Sequence, residues 1–156
     1  ALCSGHSGIA GGQQLDLSFE KKRKGFKEIL DMQRKKTGKL FNFCCYSVGV
    51  IAKKNNRIKK ELSTLGEDIG LLFQLADDFL DVRGSKKIIG KPIKKDKKKG
   101  KSTLINLIGY KKAEIFANKL KTDILRRLFK HGKKANNLIK TVEFIINRNF
   151  WWIKNY

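Results

Sequence analysis

Apolar residues recur at spacings of three and four along most of the chain, and no stretch keeps the strict alternation of a half-buried strand. The sequence contains a single proline, so little in it would interrupt long helices. The pattern therefore predicts an all-α protein with one domain over residues 1–156. The main helices are predicted over residues 26–50, 66–81, 110–130 and 133–148, with a short amphipathic segment over 101–109.

Residues 26–50 keep a helical pattern with one interruption, at Lys36, Thr37 and Gly38. A β-branched residue followed by glycine weakens a helix locally. A break of this kind in a long helix can turn a backbone carbonyl toward a pocket. Residues 53–60 are polar and are predicted to connect this segment to the next helix.

The helix predicted over residues 66–81 carries a cluster of acids, Asp77, Asp78 and Asp81, and Gly84 just beyond them is predicted to end the helix. Carboxylates near a helix C-terminus face the negative end of the helix dipole, and those at i and i+4 repel each other. The cluster therefore favours a bound cation. Oxygen ligands with no His or Cys nearby suit Mg²⁺, which prefers one or two carboxylates together with substrate phosphates. The alternative is a solvated acidic helix end.

Residues 84–101 follow directly after the acids and combine glycines with many lysines. Lysine ammonium groups are compact charges, and a loop that carries them beside a Mg²⁺ site can close over phosphate oxygens. The alternative is a solvated or nucleic-acid-binding basic loop.

The chain has 36 Lys and Arg residues against 14 Asp and Glu residues, a formal net charge of +22. Such a charge raises the hypothesis of nucleic-acid or anionic-membrane binding. The lysines are scattered, however, and no nucleic-acid-binding motif is present, so we expect no nucleic-acid partner. The longest apolar run, residues 43–52, is too short for a transmembrane segment. Cys3, Cys44 and Cys45 lack a metal-type spacing, which favours reduced thiols and a cytoplasmic protein.

Five motifs stand in order along the chain and together resemble the C-terminal half of the trans-polyprenyl diphosphate synthases, most closely the short-chain bacterial farnesyl diphosphate synthases. The resemblance runs from about Ser4 to Asn149. A lone DDxxD would be weak evidence, but five ordered motifs are specific. They are Gly11-Gly12-Gln13-x-x-Asp16, Lys36-Thr37-Gly38, Phe73-Gln74-x-x-Asp77-Asp78-x-x-Asp81, Gly90-Lys91 and Gly100-Lys101-Ser102-Thr103.

The resemblance implies part of an isoprenoid-synthase helical bundle and a Mg²⁺-dependent, head-to-tail prenyl transfer from an allylic diphosphate to isopentenyl diphosphate. It also implies roles for individual residues. Asp77, Asp78 and Asp81 would be metal ligands or partners of the metal's outer sphere. Lys36 and Lys91 would bind the allylic diphosphate, with Lys101 a weaker candidate, and Thr37 and Gln74 would lie near the developing cation. Gln13 and Asp16 would belong to a polar network at the mouth of the site.

Members of the family are longer and carry a first Asp-rich motif and an arginine pair upstream of the region that this chain matches. The resemblance therefore implies a fragment that does not catalyse the reaction alone, derived from a homodimeric enzyme, and it leaves the product length open. Two alternatives remain. One is a basic interaction or nucleic-acid-binding protein on a decayed synthase scaffold. The other is a related all-α enzyme such as a terpene cyclase, against which the Lys-Thr-Gly and Gly-Lys motifs argue.

Overall fold

The computed structural model describes residues 1–20, 22–89 and 102–151, and for residues 83–89 and 148–151 it describes the backbone alone. The described residues form helices and no strand, which confirms the all-α prediction. The elements are α1 (Ile9–Ser18), α2 (Phe26–Gln33), a π-helical turn (Arg34–Gly38), α3 (Lys39–Ile51), α4 (Asn56–Ile89), α5 (Leu104–Ile108), α6 (Tyr110–Phe129), a 3₁₀ turn (Gly132–Ala135) and α7 (Asn136–Trp151).

The core is built around α4, which contacts α2, the π-helical turn, α3, α5, α6 and α7. Because neighbours surround the middle of this helix, its buried arc is wide. Leu71 and Leu75 are as fully buried as Leu72, at 0% exposure. Phe73 and Leu80 lie at the edge of the arc and are half-buried. The buried surface of α4 is therefore wider than a single face of the helix.

The prediction that Gly84 ends its helix was wrong, because Gly84 lies inside α4, which continues to Ile89. Gly11 and Gly12 likewise lie inside a helix, α1. Glycine in a helix interior costs only about 1 kcal/mol relative to alanine, so it does not by itself end a helix. The glycines that do separate helices have positive φ angles, 82° at Gly109 and 56° at Gly132.

The start of α4 is set by a capping side chain. Asn55 accepts a hydrogen bond of 3.0 Å from the backbone N–H of Ile58, which satisfies one of the unpaired donors of the first turn. The helix therefore begins at Asn56, and the connection from α3 is shorter than the predicted polar stretch of residues 53–60.

The acids do not lie at the end of α4. Asp81 is more than two turns before Ile89, whereas the helix dipole acts mainly within the last turn. The dipole argument for a bound cation therefore does not apply. The repulsion between Asp77 and Asp81 at i and i+4 still does.

The π-helical turn, α3 and α4 pack closely because glycines line the contact. A Cβ atom placed on Gly70 would lie 2.7 Å from the Cα atom of Gly38 and 3.0 Å from Cδ2 of Phe41. A Cβ atom on Gly66 would overlap the carbonyl group of Phe41. Only glycine at these positions lets the two backbones approach this closely.

We expect Gly70→Ala to lower the free energy of unfolding by about 1–3 kcal/mol, because the new methyl group meets a neighbouring backbone that cannot move aside. The gain in helix propensity, about 1 kcal/mol, would offset only part of this loss. Denaturant-induced unfolding followed by circular dichroism measures the change.

Gly49→Ala is the matched control. The closest contacts of its Cβ atom would be the side chains of Leu62 and Lys59, at 3.1 Å, and both side chains can adjust. The backbone Cα atom of Lys59 would lie at 3.5 Å, an ordinary van der Waals distance. The free energy of unfolding of Gly49→Ala should be equal to that of the parent or higher. Equal losses for the two variants would contradict the close-packing argument.

Candidate active site

The three acids of α4 have different environments. Asp78 is buried, at 8% exposure, whereas Asp77 is half-buried and Asp81 is exposed. Helical geometry explains the difference: residues i and i+4 share a face, and the residue after the first lies about a quarter turn away. Asp77 and Asp81 therefore share the more accessible face of α4, while Asp78 points between helices.

Asp78 is held by two side-chain amides. Its Oδ2 atom accepts a hydrogen bond of 2.9 Å from Nε2 of Gln33, and its Oδ1 atom accepts one of 3.2 Å from Nε2 of Gln74. Burial raises the pKa of the carboxyl group to about 6; the two amide hydrogen bonds oppose this shift, and the nearby charges of Asp81 and Asp77 add to it. At neutral pH Asp78 is therefore mainly a buried carboxylate stabilised by neutral donors.

The interruption predicted at residues 36–38 is the π-helical turn that joins α2 to α3. Such turns widen a helix by one residue and are frequent at functional sites. Here the turn directs the Thr37 hydroxyl to donate a hydrogen bond of 3.1 Å to Oε1 of Gln74. Thr37, Gln74 and Asp78 thus form one continuous polar chain between the turn and the acids.

Lys36, in the same turn, forms an ion pair with Asp16 of α1, with 2.5 Å between Nζ and Oδ2. The glycine pair of the first motif allows this contact, because a Cβ atom on Gly12 would overlap the backbone of Lys36. The two glycines therefore serve close packing and do not end the helix. Of the two residues predicted to form a polar network at the mouth of the site, Asp16 pairs with Lys36 and Gln13 is exposed, and the network itself stays a prediction.

The chain returns from the lysine-rich stretch beside α1. The hydroxyl of Ser102 donates to the carbonyl of Phe19, at 3.0 Å, and Thr103 caps α5 by accepting from the backbone N–H of Asn106, at 3.2 Å. Leu104 is fully buried. The short segment therefore packs onto the body of the protein. Lys91 and Lys101 themselves lie outside the described residues.

Gln33 was not predicted from the sequence. It is 2% exposed, and it is the only described buried side chain with an unpaired polar atom, its Oε1. The available signal was a polar residue one turn after Ile29 and one turn before Thr37, on the apolar face of the segment.

A second polar network, which was also not predicted from the sequence, holds the start of the π-helical turn in place. Asp68 of α4 accepts hydrogen bonds from Nη2 of Arg34, at 3.0 Å, and from Nη2 of Arg127 of α6, at 2.6 Å. Asp68 is nearly buried, so these charge-assisted contacts are strong. They fix the turn to both α4 and α6.

The described residues contain no group of three or more His, Cys, Asp or Glu side chains that could hold a metal ion. An all-protein metal cage is therefore not present in this part of the chain. Mg²⁺ needs only one or two carboxylates when phosphate oxygens and water complete its shell. The all-oxygen pair Asp77 and Asp81, on one accessible face, fits that requirement.

Comparison with known proteins connects this geometry to one family. Residues 4–143 match the sequence model described as polyprenyl synthetase. The farnesyl diphosphate synthase of Micrococcus luteus is 33% identical over 149 residues, which make up 96% of this chain and 51% of the relative.

Two solved structures share the arrangement of helices. An FPP/GFPP synthase of Zymomonas mobilis superposes with a TM-score of 0.78 at 31% identity, covering 92% of this chain and 47% of that one. A geranyltransferase of Helicobacter pylori, solved with magnesium and isoprenyl diphosphate, superposes with a TM-score of 0.73 at 28% identity, covering 96% and 49%. The chain thus spans about half the length of the relatives it matches. Of its described helices, none combines the length and the apolar character needed to cross a membrane.

The buried Asp78 should make stability depend on pH. Its pKa is about 6 in the folded protein and 3.8 ordinarily, so between these values the folded state binds more protons than the unfolded state. The contribution of Asp78 to the free energy of unfolding is greatest below pH 4, falls as the pH rises through 4–6, and is lost above pH 6. The total change is at most about 3 kcal/mol.

Asp78→Asn removes this titration: its oxygen can accept from Gln74, and its NH2 group can donate to Oε1 of Gln33 once the Gln33 amide turns over. The free energy of unfolding is measured for parent and variant at several pH values between 4 and 7. The difference between the two proteins at each pH gives the pH-dependent contribution of Asp78. We expect the variant to be the more stable protein at pH 7. A difference that does not change with pH would contradict the raised pKa of Asp78.

Proposed function

This chain belongs to the polyprenyl synthetase family, and we propose that the whole protein uses Mg²⁺ to transfer a prenyl group head-to-tail from an allylic diphosphate to isopentenyl diphosphate. The observation that carries the proposal is the contact between the π-helical turn and the acid-bearing helix. It brings Thr37 of the turn to Gln74 and, through Gln74, to Asp78 of α4, while Lys36 of the same turn pairs with Asp16 of α1. Homodimeric assembly and a cytoplasmic location of the whole protein belong to the same proposal.

In the proposed reaction the C–O bond of the allylic diphosphate breaks, and pyrophosphate leaves with the electron pair. The double bond of isopentenyl diphosphate then attacks the allylic cation, a C–C bond forms, and a proton is lost. Pyrophosphate can leave only if its developing negative charge is stabilised, and Mg²⁺ supplies that stabilisation when it is bound.

The residues of this chain divide into three roles in the proposal. Asp77 and Asp81 hold the metal from their shared face, and Asp78 acts from the outer sphere, through the amides that it binds. Lys36 binds the allylic diphosphate together with Lys91 and, more weakly, Lys101. Their ammonium groups offset phosphate charge as point charges.

Thr37 and Gln74 provide the polar edge near the allylic cation. The Thr37 hydroxyl donates to Oε1 of Gln74, and Nε2 of Gln74 donates to Asp78, so the orientation of each group is set by the next. This order keeps oxygen atoms, which stabilise a positive charge, beside the reacting carbon.

Replacing Asp77 and Asp81 together by alanine should weaken Mg²⁺-dependent pyrophosphate binding at least tenfold, about 1.4 kcal/mol or more. Helical content should stay the same, because the change also removes the i, i+4 repulsion between the two acids. Titration calorimetry with pyrophosphate, with and without Mg²⁺, measures the effect.

The control for this experiment is Asp31→Ala combined with Asp123→Ala, which removes the same charge from the exposed Asp31 of α2 and the half-buried Asp123 of α6. It should bind like the parent. Unchanged Mg²⁺-dependent binding in the variant of the α4 acids would overturn the metal assignment. Salt-sensitive binding without Mg²⁺, equal in all three proteins, would favour the basic polyanion-binding alternative.

Lys36→Ala should weaken pyrophosphate binding roughly tenfold, since a charge-assisted contact of a lysine is worth about 1.5 kcal/mol. Lys35→Ala is the matched control: Lys35 is the preceding residue of the same turn, and it pairs with exposed Asp31, at 2.9 Å. Equal losses at the two lysines, measured by calorimetry, would indicate general electrostatics in place of a specific contact.

A further inference from the structure

Gln33 is a buried amide whose nitrogen atom is hydrogen-bonded and whose oxygen atom is not. Its Nε2 atom donates to Oδ2 of Asp78, 45 residues away along the chain, at 2.9 Å. Its Oε1 atom accepts no hydrogen bond from the described residues. Buried polar atoms are nearly always paired, so this orientation has a specific reason. The opposite orientation would place the Gln33 oxygen against the Asp78 carboxylate, and two acceptors repel.

The hydrogen bond from Gln33 to Asp78 is one of two side-by-side hydrogen bonds, here called rungs, that join α4 to the segment of Gln33 and Thr37. Gln33 and Thr37 are four residues apart at the junction of α2 and the π-helical turn, and Gln74 and Asp78 are four apart on α4. Gln33 pairs with Asp78 and Thr37 pairs with Gln74, so the two segments run antiparallel at this point.

A third hydrogen bond, from Gln74 to Asp78, joins the rungs into one chain of four side chains. A shift of either segment by one residue would break both rungs. The polar chain therefore specifies the register.

The π-helical turn depends on such contacts more than an ordinary helix does. Its wider hydrogen-bonding pattern is rare and occurs as isolated turns, so tertiary contacts must hold it in place. Gln33 is the residue directly before the turn, and Arg34, its first residue, is held separately by Asp68. Gln33 and Asp68 thus fasten the entry to the turn at two points on α4.

We propose that Gln33 is a positioning residue: through its hydrogen bond to Asp78 it sets the register that places Lys36 and Thr37 opposite the face of Asp77 and Asp81. Asp78 is the anchor of this register and not a direct metal ligand, because it is buried and both its oxygens accept from amides. The inference deepens the proposed function and rests on it for the chemistry of the site. The register itself stands on the geometry of the four side chains.

The test exchanges the two partners. Gln33→Glu alone places two carboxylates in contact in a buried position, which breaks the rung. Gln33→Glu combined with Asp78→Asn restores it with donor and acceptor reversed, since the new amide at position 78 can donate to residue 33 and accept from Gln74. The exchanged pair also keeps the local charge of the parent.

Two measurements are made on the full chain: hydrogen–deuterium exchange of the backbone amides of residues 34–38, with α6 and α7 as references, and calorimetric binding of Mg²⁺ with pyrophosphate. For Gln33→Glu we expect exchange in the turn to accelerate at least tenfold relative to the references, and binding to weaken at least fivefold. The exchanged pair should return both quantities to within twofold of the parent. Gln33→Met, which removes the donor without adding a charge, should accelerate exchange in the same turn and serves if the glutamate variant does not fold.

Three other outcomes would each overturn one stated part of the proposal. Equal acceleration in the turn and in the references would mean that Gln33 only stabilises the fold. Restored exchange without restored binding in the exchanged pair would mean that the Asp78 carboxylate binds the metal directly. If the parent does not bind Mg²⁺ with pyrophosphate, the proposed function fails, and the exchange measurement still decides the role of Gln33.

Discussion

The candidate site depends on how closely the π-helical turn and α3 approach α4. Glycines make this approach possible, since a methyl group on Gly70 would meet the backbone of Gly38 at 2.7 Å. Side chains as short as threonine can hydrogen-bond across a helix contact only when the backbones are this close. The bond from Thr37 to Gln74 is thus a consequence of the glycines beside it. Packing and chemistry are set by the same few positions, and a change that separates the helices would weaken both.

Much of the architecture follows from local rules, which is why it could be predicted from the sequence. Spacings of three and four predicted the helices, and a β-branched residue followed by glycine predicted the break that proved to be the π-helical turn. One error concerns a glycine: Gly84 is predicted to end a helix but lies in a helix interior, as Gly12 also does. A glycine that ends a helix and one that admits a neighbour look the same in a sequence. Only the neighbour, here the backbone of Lys36 against Gly12, distinguishes them.

The polar contacts of the site were harder to predict than its motifs. The acids and the Lys-Thr-Gly triplet are recognisable as residue types at fixed spacing. Gln33 and Asp68 acquire their roles from partners that are distant in sequence, 45 residues away for Gln33 and 59 residues for the pair of Asp68 with Arg127. Such pairs depend on the register between helices, which in turn depends on all the side chains at the contact. A pattern along one helix contains no information on that register.

Asp68 and Asp78 show how one helix uses two buried carboxylates in opposite ways. Two guanidinium groups bind Asp68, which neutralises its charge and ties α4 to the π-helical turn and to α6. Asp78 is held by two neutral amides, and among the described residues no cation contributes to the shift of its pKa. Neutral donors fix the orientation of a carboxylate without cancelling its charge. Once ionised, Asp78 therefore adds to the negative field of Asp77 and Asp81 from inside the helix contact. In the proposed function this field favours a divalent cation at their accessible face, even though Asp78 itself stays bound to its amides.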